Sequence, residues 1–147
     1  MMRPLRVVSL LALSIALFYG SGVRAQAKPV AEGTGRAGEF PTKWALYLPP
    51  DIAPGEEVVL VEGTIGTDTI KKHRLVVFYF AGIEGRTLHL YRIESDEGVE
   101  RSRRPIILPL AADNTAVLRV RPLFADRSYT VRLRLGTDNL LAGALVK

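Results

Sequence analysis

Residues 128–135 read Ser-Tyr-Thr-Val-Arg-Leu-Arg-Leu, and residues 115–121 read Thr-Ala-Val-Leu-Arg-Val-Arg. In the first, Tyr129, Val131, Leu133 and Leu135 alternate with Thr130, Arg132 and Arg134. In the second, Ala116, Leu118 and Val120 alternate with Val117, Arg119 and Arg121. Successive side chains of a strand point to opposite faces, so a period of two marks a strand with one face on a core and one in water. The last third of the chain is therefore predicted to be antiparallel sheet. A third strand over 140–146 follows the turn cluster Gly136-Thr137-Asp138-Asn139.

The same texture extends upstream to Lys43. Short apolar runs broken by turn residues predict strands over 43–48, 57–65, 70–81, 87–94 and 103–110. Pro105 and Pro109 limit the last of these to a sheet edge, because proline donates nothing to a ladder. The 70–81 strand is apolar on both faces, with Leu75, Val77 and Tyr79 on one and Val76, Phe78 and Phe80 on the other. Such a strand is either covered twice or turns an apolar face to solvent. No window sustains a helical period. The expectation is an all-β, two-sheet antiparallel sandwich of seven or eight strands over 43–147.

The stretch Leu123-Phe124-Ala125-Asp126-Arg127-Ser128-Tyr129-Thr130-Val131-Arg132-Leu133 resembles the E–F corner of fibronectin type III and related immunoglobulin-like domains. There a Leu precedes a strand-F Tyr by six positions, as Leu123 precedes Tyr129 here. Ala125-Asp126 stands where Pro-Gly is usual in that family, and Trp44 lies too early for a second-strand Trp. The resemblance implies an immunoglobulin-like sandwich with 136–146 completing an F–G hairpin. It also implies that the Tyr129 hydroxyl bonds back to upstream backbone and pins a crossover between sheets. It implies nothing about activity.

At the other end, residues 1–25 carry Arg3 and Arg6, an apolar run over Val7–Tyr19 and small residues before Ala25 and Ala27. This is the layout of a secretory signal peptide, and the run is short of the ~18–20 residues a spanning helix needs. A membrane would then be met only through an uncleaved signal. Residues 26–42, rich in Gly and Pro with few apolar side chains, read as a flexible linker. The formal charge of +5 changes meaning once the signal is set aside. Residues 26–100 hold 8 basic and 12 acidic side chains, and residues 101–147 hold 9 and 3, giving a mature chain of +2 with a polarised distribution. That is not the concentrated basic footprint of a nucleic-acid binder.

Candidates for chemistry are few. The chain has no Cys, so disulfides and thiolate chemistry are excluded. His73 and His89 lack partners at catalytic or metal-ligating spacing, and no nucleophile elbow or phosphate loop is present. The expectation is no catalytic residue, no metal and no cofactor. The acidic turn Glu94–Glu100 offers oxygen ligands for Ca²⁺ but lacks the spacing of a calcium loop. Beside it, Arg101, Arg103 and Arg104 form a basic run suited to an acidic partner. If the strands adjoin, alternation gathers Tyr79, His89, Tyr91, Arg132 and Arg134 on one outer sheet face. Tyr and Arg combine flat contact area with a polar handle and are enriched in recognition surfaces. The functional expectation is an exported, secreted or periplasmic, non-catalytic binding or assembly module that recognises a protein partner. The alternatives are a carbohydrate-binding accessory domain and a small extracytoplasmic enzyme.

Overall fold

The computed structural model describes residues 28–67, 71–122 and 125–146. They form nine strands: β1 (Ala31–Ala37), β2 (Phe40–Tyr47), β3 (Glu57–Gly66), β4 (Lys71–Glu84), β5 (Thr87–Asp96), β6 (Val99–Pro109), β7 (Thr115–Val120), β8 (Tyr129–Leu135) and β9 (Leu141–Val146). Among the described residues there is no helix. Strands β1 to β6 pair in chain order as one sheet, and β7 to β9 pair in chain order as a second. Every pairing is antiparallel. The fold is thus the expected all-β, two-sheet antiparallel sandwich. The signal segment 1–25, Ile70 and Leu123 lie outside the described residues.

Three features correct the sequence reading. The segment read as a linker holds β1 and the start of β2, so the strands number nine. Poverty in apolar side chains does not keep β1 out of the sheet, because its backbone pairs with β2 from Ala31↔Leu46 to Ala37↔Phe40. The ring of Trp44 also lies on Gly33. A Cβ there would meet Trp44 Cζ2 at 2.8 Å, so the glycine supplies the space for the ring. The second correction concerns topology. An immunoglobulin-like corner carries the chain between sheets, with strand E in one and strand F in the other. Here β7 pairs directly with β8 from Val120↔Tyr129 to Thr115↔Arg134, so both sheets are meanders. The third is the Tyr129 hydroxyl, which accepts a bond from Arg127 Nε at 3.3 Å. The Arg127 guanidinium also stacks on that ring, 5.0 Å from its centroid.

Local chemistry explains the hairpins. The β5–β6 turn is Glu97-Gly98, with φ of 50° and 81°. Positive φ at both central residues gives the turn whose twist matches its flanking strands, and glycine takes that conformation without steric cost. Strand β6 lies at a sheet edge, where Pro105 and Pro109 are tolerated.

The core lies between the sheets. Trp44, Val61, Val76, Phe78, Phe80 and Leu90 contribute from the larger sheet. Leu118, Val120, Val131, Leu133 and Leu141 answer from the smaller. Three links tie the sheets together. Ile52, between β2 and β3, exchanges backbone bonds with Leu141 at 2.7 and 2.8 Å. The rings of Trp44 and Tyr129 meet edge to face at 5.4 Å between centroids. At the crossover from β6 to β7, Arg86 donates to Asn114 Oδ1 at 2.7 Å and also to the Ala111 carbonyl.

Strand lengths differ between the layers. β4, β5 and β6 have 14, 10 and 11 residues, whereas β7, β8 and β9 have 6, 7 and 6. At roughly 3.3 Å per residue the larger sheet overhangs the smaller. The register shows what happens to its inner face there. The apolar row Phe80↔Leu90↔Ile106 gives way to Phe78↔Arg92↔Arg104, then Val76↔Glu94↔Ser102, then Arg74↔Asp96. Inward positions become charged where the second layer ends.

Candidate functional site

Pairing places Tyr79 directly opposite Tyr91, and Tyr91 opposite Pro105. Val76, Phe78, Phe80, Leu88 and Leu90 belong to the core, so by alternation these tyrosines occupy the outer face of the six-stranded sheet. Both are half-buried. His89 lies on the same side, one position along, opposite Ile107. Ile107 is 58% exposed, one of the most exposed large apolar side chains of the described residues. Beneath this surface Leu60 and Val77 are neighbours across β3 and β4 and are nearly inaccessible to solvent. The apolar second face of β4 is thus turned away from the three-stranded sheet.

Arg132 and Arg134 are elsewhere. They lie on β8, in the three-stranded sheet, and are exposed. Their inward neighbours Val131 and Leu133 are fully buried, so the two arginines face outward on the opposite side of the sandwich from Tyr79 and Tyr91. The five residues expected on one face are therefore divided three and two. The expectation joined β8 to β4 and β5, which share the same alternation. Alternation gives the face of a strand within its sheet and says nothing about which sheet holds it.

The arginine that accompanies the tyrosines is Arg103. Its guanidinium carbon lies 5.7 Å from the Tyr91 ring centroid, within cation–π range. Glu100 holds it there, accepting from Arg103 Nε at 3.1 Å and Nη2 at 2.9 Å. Those bonds raise the already high Arg103 pKa, so the group is a fixed cation. The signal was present in the basic run 101–104. Finding it required the β5–β6 register, which sets Arg103 opposite Ile93 and diagonal to Tyr91.

The histidines have ordinary surface partners. His73 Nε2 lies 2.8 Å from Glu62 Oε2. His89 Nε2 lies 3.0 Å from Thr87 Oγ1 and 3.6 Å from Glu84 Oε1. In the acidic turn, Asp96 faces Arg74 at 2.8 Å and Arg101 at 3.8 Å, while Glu100 holds Arg103. Arginine thus engages carboxylates that the sequence offered to calcium. Among the described residues no three His, Asp or Glu side chains converge as a metal site. The surface so assembled can stack, desolvate and donate hydrogen bonds.

No protein-family model, no curated protein and no solved structure matches the chain.

Proposed function

We propose that this chain is an exported, non-catalytic β-sandwich module that recognises a protein partner through the outer face of its six-stranded sheet. The observation that carries the reading is the Tyr79–Tyr91 pair with Arg103 fixed over Tyr91 and Ile107 exposed beside it. Aromatic rings and a pre-oriented guanidinium lose little side-chain entropy on binding, which is why such groups dominate interface energies. His89 at the rim adds a polar contact. In the carbohydrate alternative a sugar would stack on Tyr79, because Arg103 already lies over the Tyr91 ring. A protein surface with apolar or aromatic groups to set against Tyr79, Tyr91 and Ile107 suits the arrangement better, with Arg103 already paired to Glu100. The export reading rests on the sequence of residues 1–25. The likeness to immunoglobulin-like domains rests on the Leu123–Tyr129 spacing and the β8–β9 hairpin, and it does not extend to the strand order.

The test is retention of extracytoplasmic proteins from the source cells on the immobilised mature chain, compared with Tyr79→Ala/Tyr91→Ala. Loss of a retained protein in the double variant, with unchanged circular dichroism and unfolding midpoint, is the expected outcome. Equal retention by a folded double variant refutes this face. Binding to a glycan array that the double variant loses would replace the protein reading with the carbohydrate one. Amino-terminal sequencing of exported material is expected to begin at Gln26 or Lys28.

A further inference from the structure

Strand β7 has a hydrogen-bonded neighbour on one side only, β8. The Leu135 amide donates to the Asn114 carbonyl at 2.9 Å, toward β8, and the Ala111 amide donates to the Thr115 carbonyl at 2.8 Å, on the other side. Bonded and non-bonded pairs alternate along an antiparallel ladder. Ala116, Leu118 and Val120 therefore turn their backbone groups to β8, while Val117 and Arg119 turn theirs to the free edge. Among the described residues no backbone group pairs with those two at that edge. We propose that the free edge of β7 accepts an extended acidic segment of another protein, which adds to the small sheet as a fourth strand.

Other edges are guarded. In β6 the Leu110 amide donates to the Arg86 carbonyl at 2.9 Å. The register then directs the backbone of Leu108, Ile106 and Arg104 to β5, and that of Pro109, Ile107 and Pro105 outward. Both prolines thus stand where an outward N–H would otherwise invite a strand. The edge of β9 is engaged at Leu141, which exchanges backbone bonds with Ile52 at 2.7 and 2.8 Å. β1 carries Glu32 and Arg36, one charge of each sign. β7 has no proline. Its Val117 is 55% exposed, and an open space lined by Arg119, Val120, Arg121 and the half-buried Ile106 of β6 lies at its second half.

Charge selects the occupant. Arg119, Arg132 and Arg134 are exposed on the outer face of the small sheet, and β7 to β9 contain no acid. None of the three forms an ion pair among the described residues. A second copy of this chain paired through β7 would bring Arg119 of both copies together, and like charges across a ladder are destabilising. A strand with Asp or Glu at every second position would instead set its carboxylates on the outer face beside Arg119, with Arg132 and Arg134 one strand further. Its intervening side chains would point inward with Ala116, Leu118 and Val120, which are buried, so apolar residues suit them. Main-chain bonds to Val117 and Arg119 would supply affinity, and the alternation would supply specificity. The edge belongs to the small sheet and is independent of the tyrosine face.

Fluorescence anisotropy of the mature chain with a labelled peptide of alternating Glu and Val tests this, with the same peptide carrying Lys for Glu as control. The Glu peptide is expected to bind about tenfold or more tightly than the Lys peptide, and Arg119→Glu/Arg132→Glu to reverse that order. Val117→Pro removes the outward N–H, leaves the β7–β8 bonds in place and repeats the device of Pro105 and Pro109. It is expected to lose about tenfold in affinity, a little more than one ordinary hydrogen bond supplies. In the unaltered chain the Glu peptide is expected to slow amide exchange at Val117 and Arg119, a readout that stands even if the proline impairs folding. Tyr79→Ala/Tyr91→Ala is expected to bind the peptide as the unaltered chain does, which keeps failure of the tyrosine face distinct from failure of this edge. Unchanged exchange at Val117 and Arg119 under excess peptide overturns the proposal. Equal affinity for the two peptides, equal affinity in a folded Val117→Pro, or loss of peptide binding in the tyrosine variant would each overturn it as well. Dimerisation of the chain alone that Val117→Pro abolishes would replace the foreign strand with a second copy.

Discussion

The two sheets share a core, and their outer faces are opposites. On the six-stranded sheet the outer face carries an apolar and aromatic row, Leu60, Leu75, Val77, Tyr79, Tyr91 and Ile93, with Glu62, His73, His89 and Arg103 around it. On the three-stranded sheet it carries Val117, Arg119, Thr130, Arg132 and Arg134, and strands β7 to β9 contain no acid. Width accounts for the difference. β3 and β4 each have paired neighbours on both sides, so their outer side chains are shielded laterally. Leu60 and Val77 are only 2% and 6% exposed on a face turned away from the other layer. In a sheet of three strands every outer side chain is within one strand of an edge, and Val117 is 55% exposed. A wide sheet can hold apolar residues on its open face and use them for contact. A narrow one needs charge to stay soluble.

The largest expected effect breaks what the two layers share. Phe80 is fully buried between them, whereas Val117 belongs to the wet face of the small sheet. Phe80→Ala is expected to cost about 3–5 kcal/mol, from lost transfer energy and the cavity left behind. Val117→Ala is expected to stay within about 0.5 kcal/mol. Urea unfolding of both variants measures the contrast. A small effect at Phe80 would mean that the layers do not form one core.

A smaller effect tests the edge where sequence reading fell short. Gly33→Val places side-chain atoms where the Trp44 ring lies, since even a Cβ would come within 2.8 Å of it. Overpacking of this kind costs about 1–3 kcal/mol. The loss is expected to stay at the margin of the wide sheet, with amide exchange accelerating in β1 and β2 and little change in β7 to β9. Gly38→Val, at the hairpin turn, has open space around it but a positive φ, and separates crowding from backbone strain.

The legible parts of this fold are those whose own side chains report their surroundings. β7 and β8 declare themselves through Val131, Leu133, Leu118 and Val120, each buried as alternation predicts. β6 declares its edge position through Pro105 and Pro109. β1 does not declare itself, because what fixes it is a ladder of backbone bonds and a ring supplied by Trp44. Its glycines, read alone, suggest a linker. The candidate site divides in the same way. The Tyr79–Tyr91 pairing follows from two adjacent strands joined by a short turn, a local relationship. Separating Arg132 and Arg134 from that pair required knowing where one sheet ends and the next begins. The break falls at Leu110–Asn114, in a connection much like the others in composition.

The smallest expected effect concerns an acid of the β6–β7 connection that feels the charge of Arg134. Asp113, in the β6–β7 connection, accepts a hydrogen bond from Thr115 Oγ1 at 2.7 Å. That bond, aided more weakly by the charge of Arg134, lowers its pKa below the ordinary 3.8. A carboxyl whose folded-state pKa is depressed contributes stability above its unfolded value and loses it as pH falls through the folded one. Asp113→Asn keeps an acceptor for Thr115 and removes the charge. The unaltered chain is therefore expected to melt slightly above Asp113→Asn at neutral pH, and the gap to close below about pH 4. Melting curves from pH 7 to pH 2.5 measure it. A gap that does not change with pH would place the effect of Asp113 in loop packing and not in its charge.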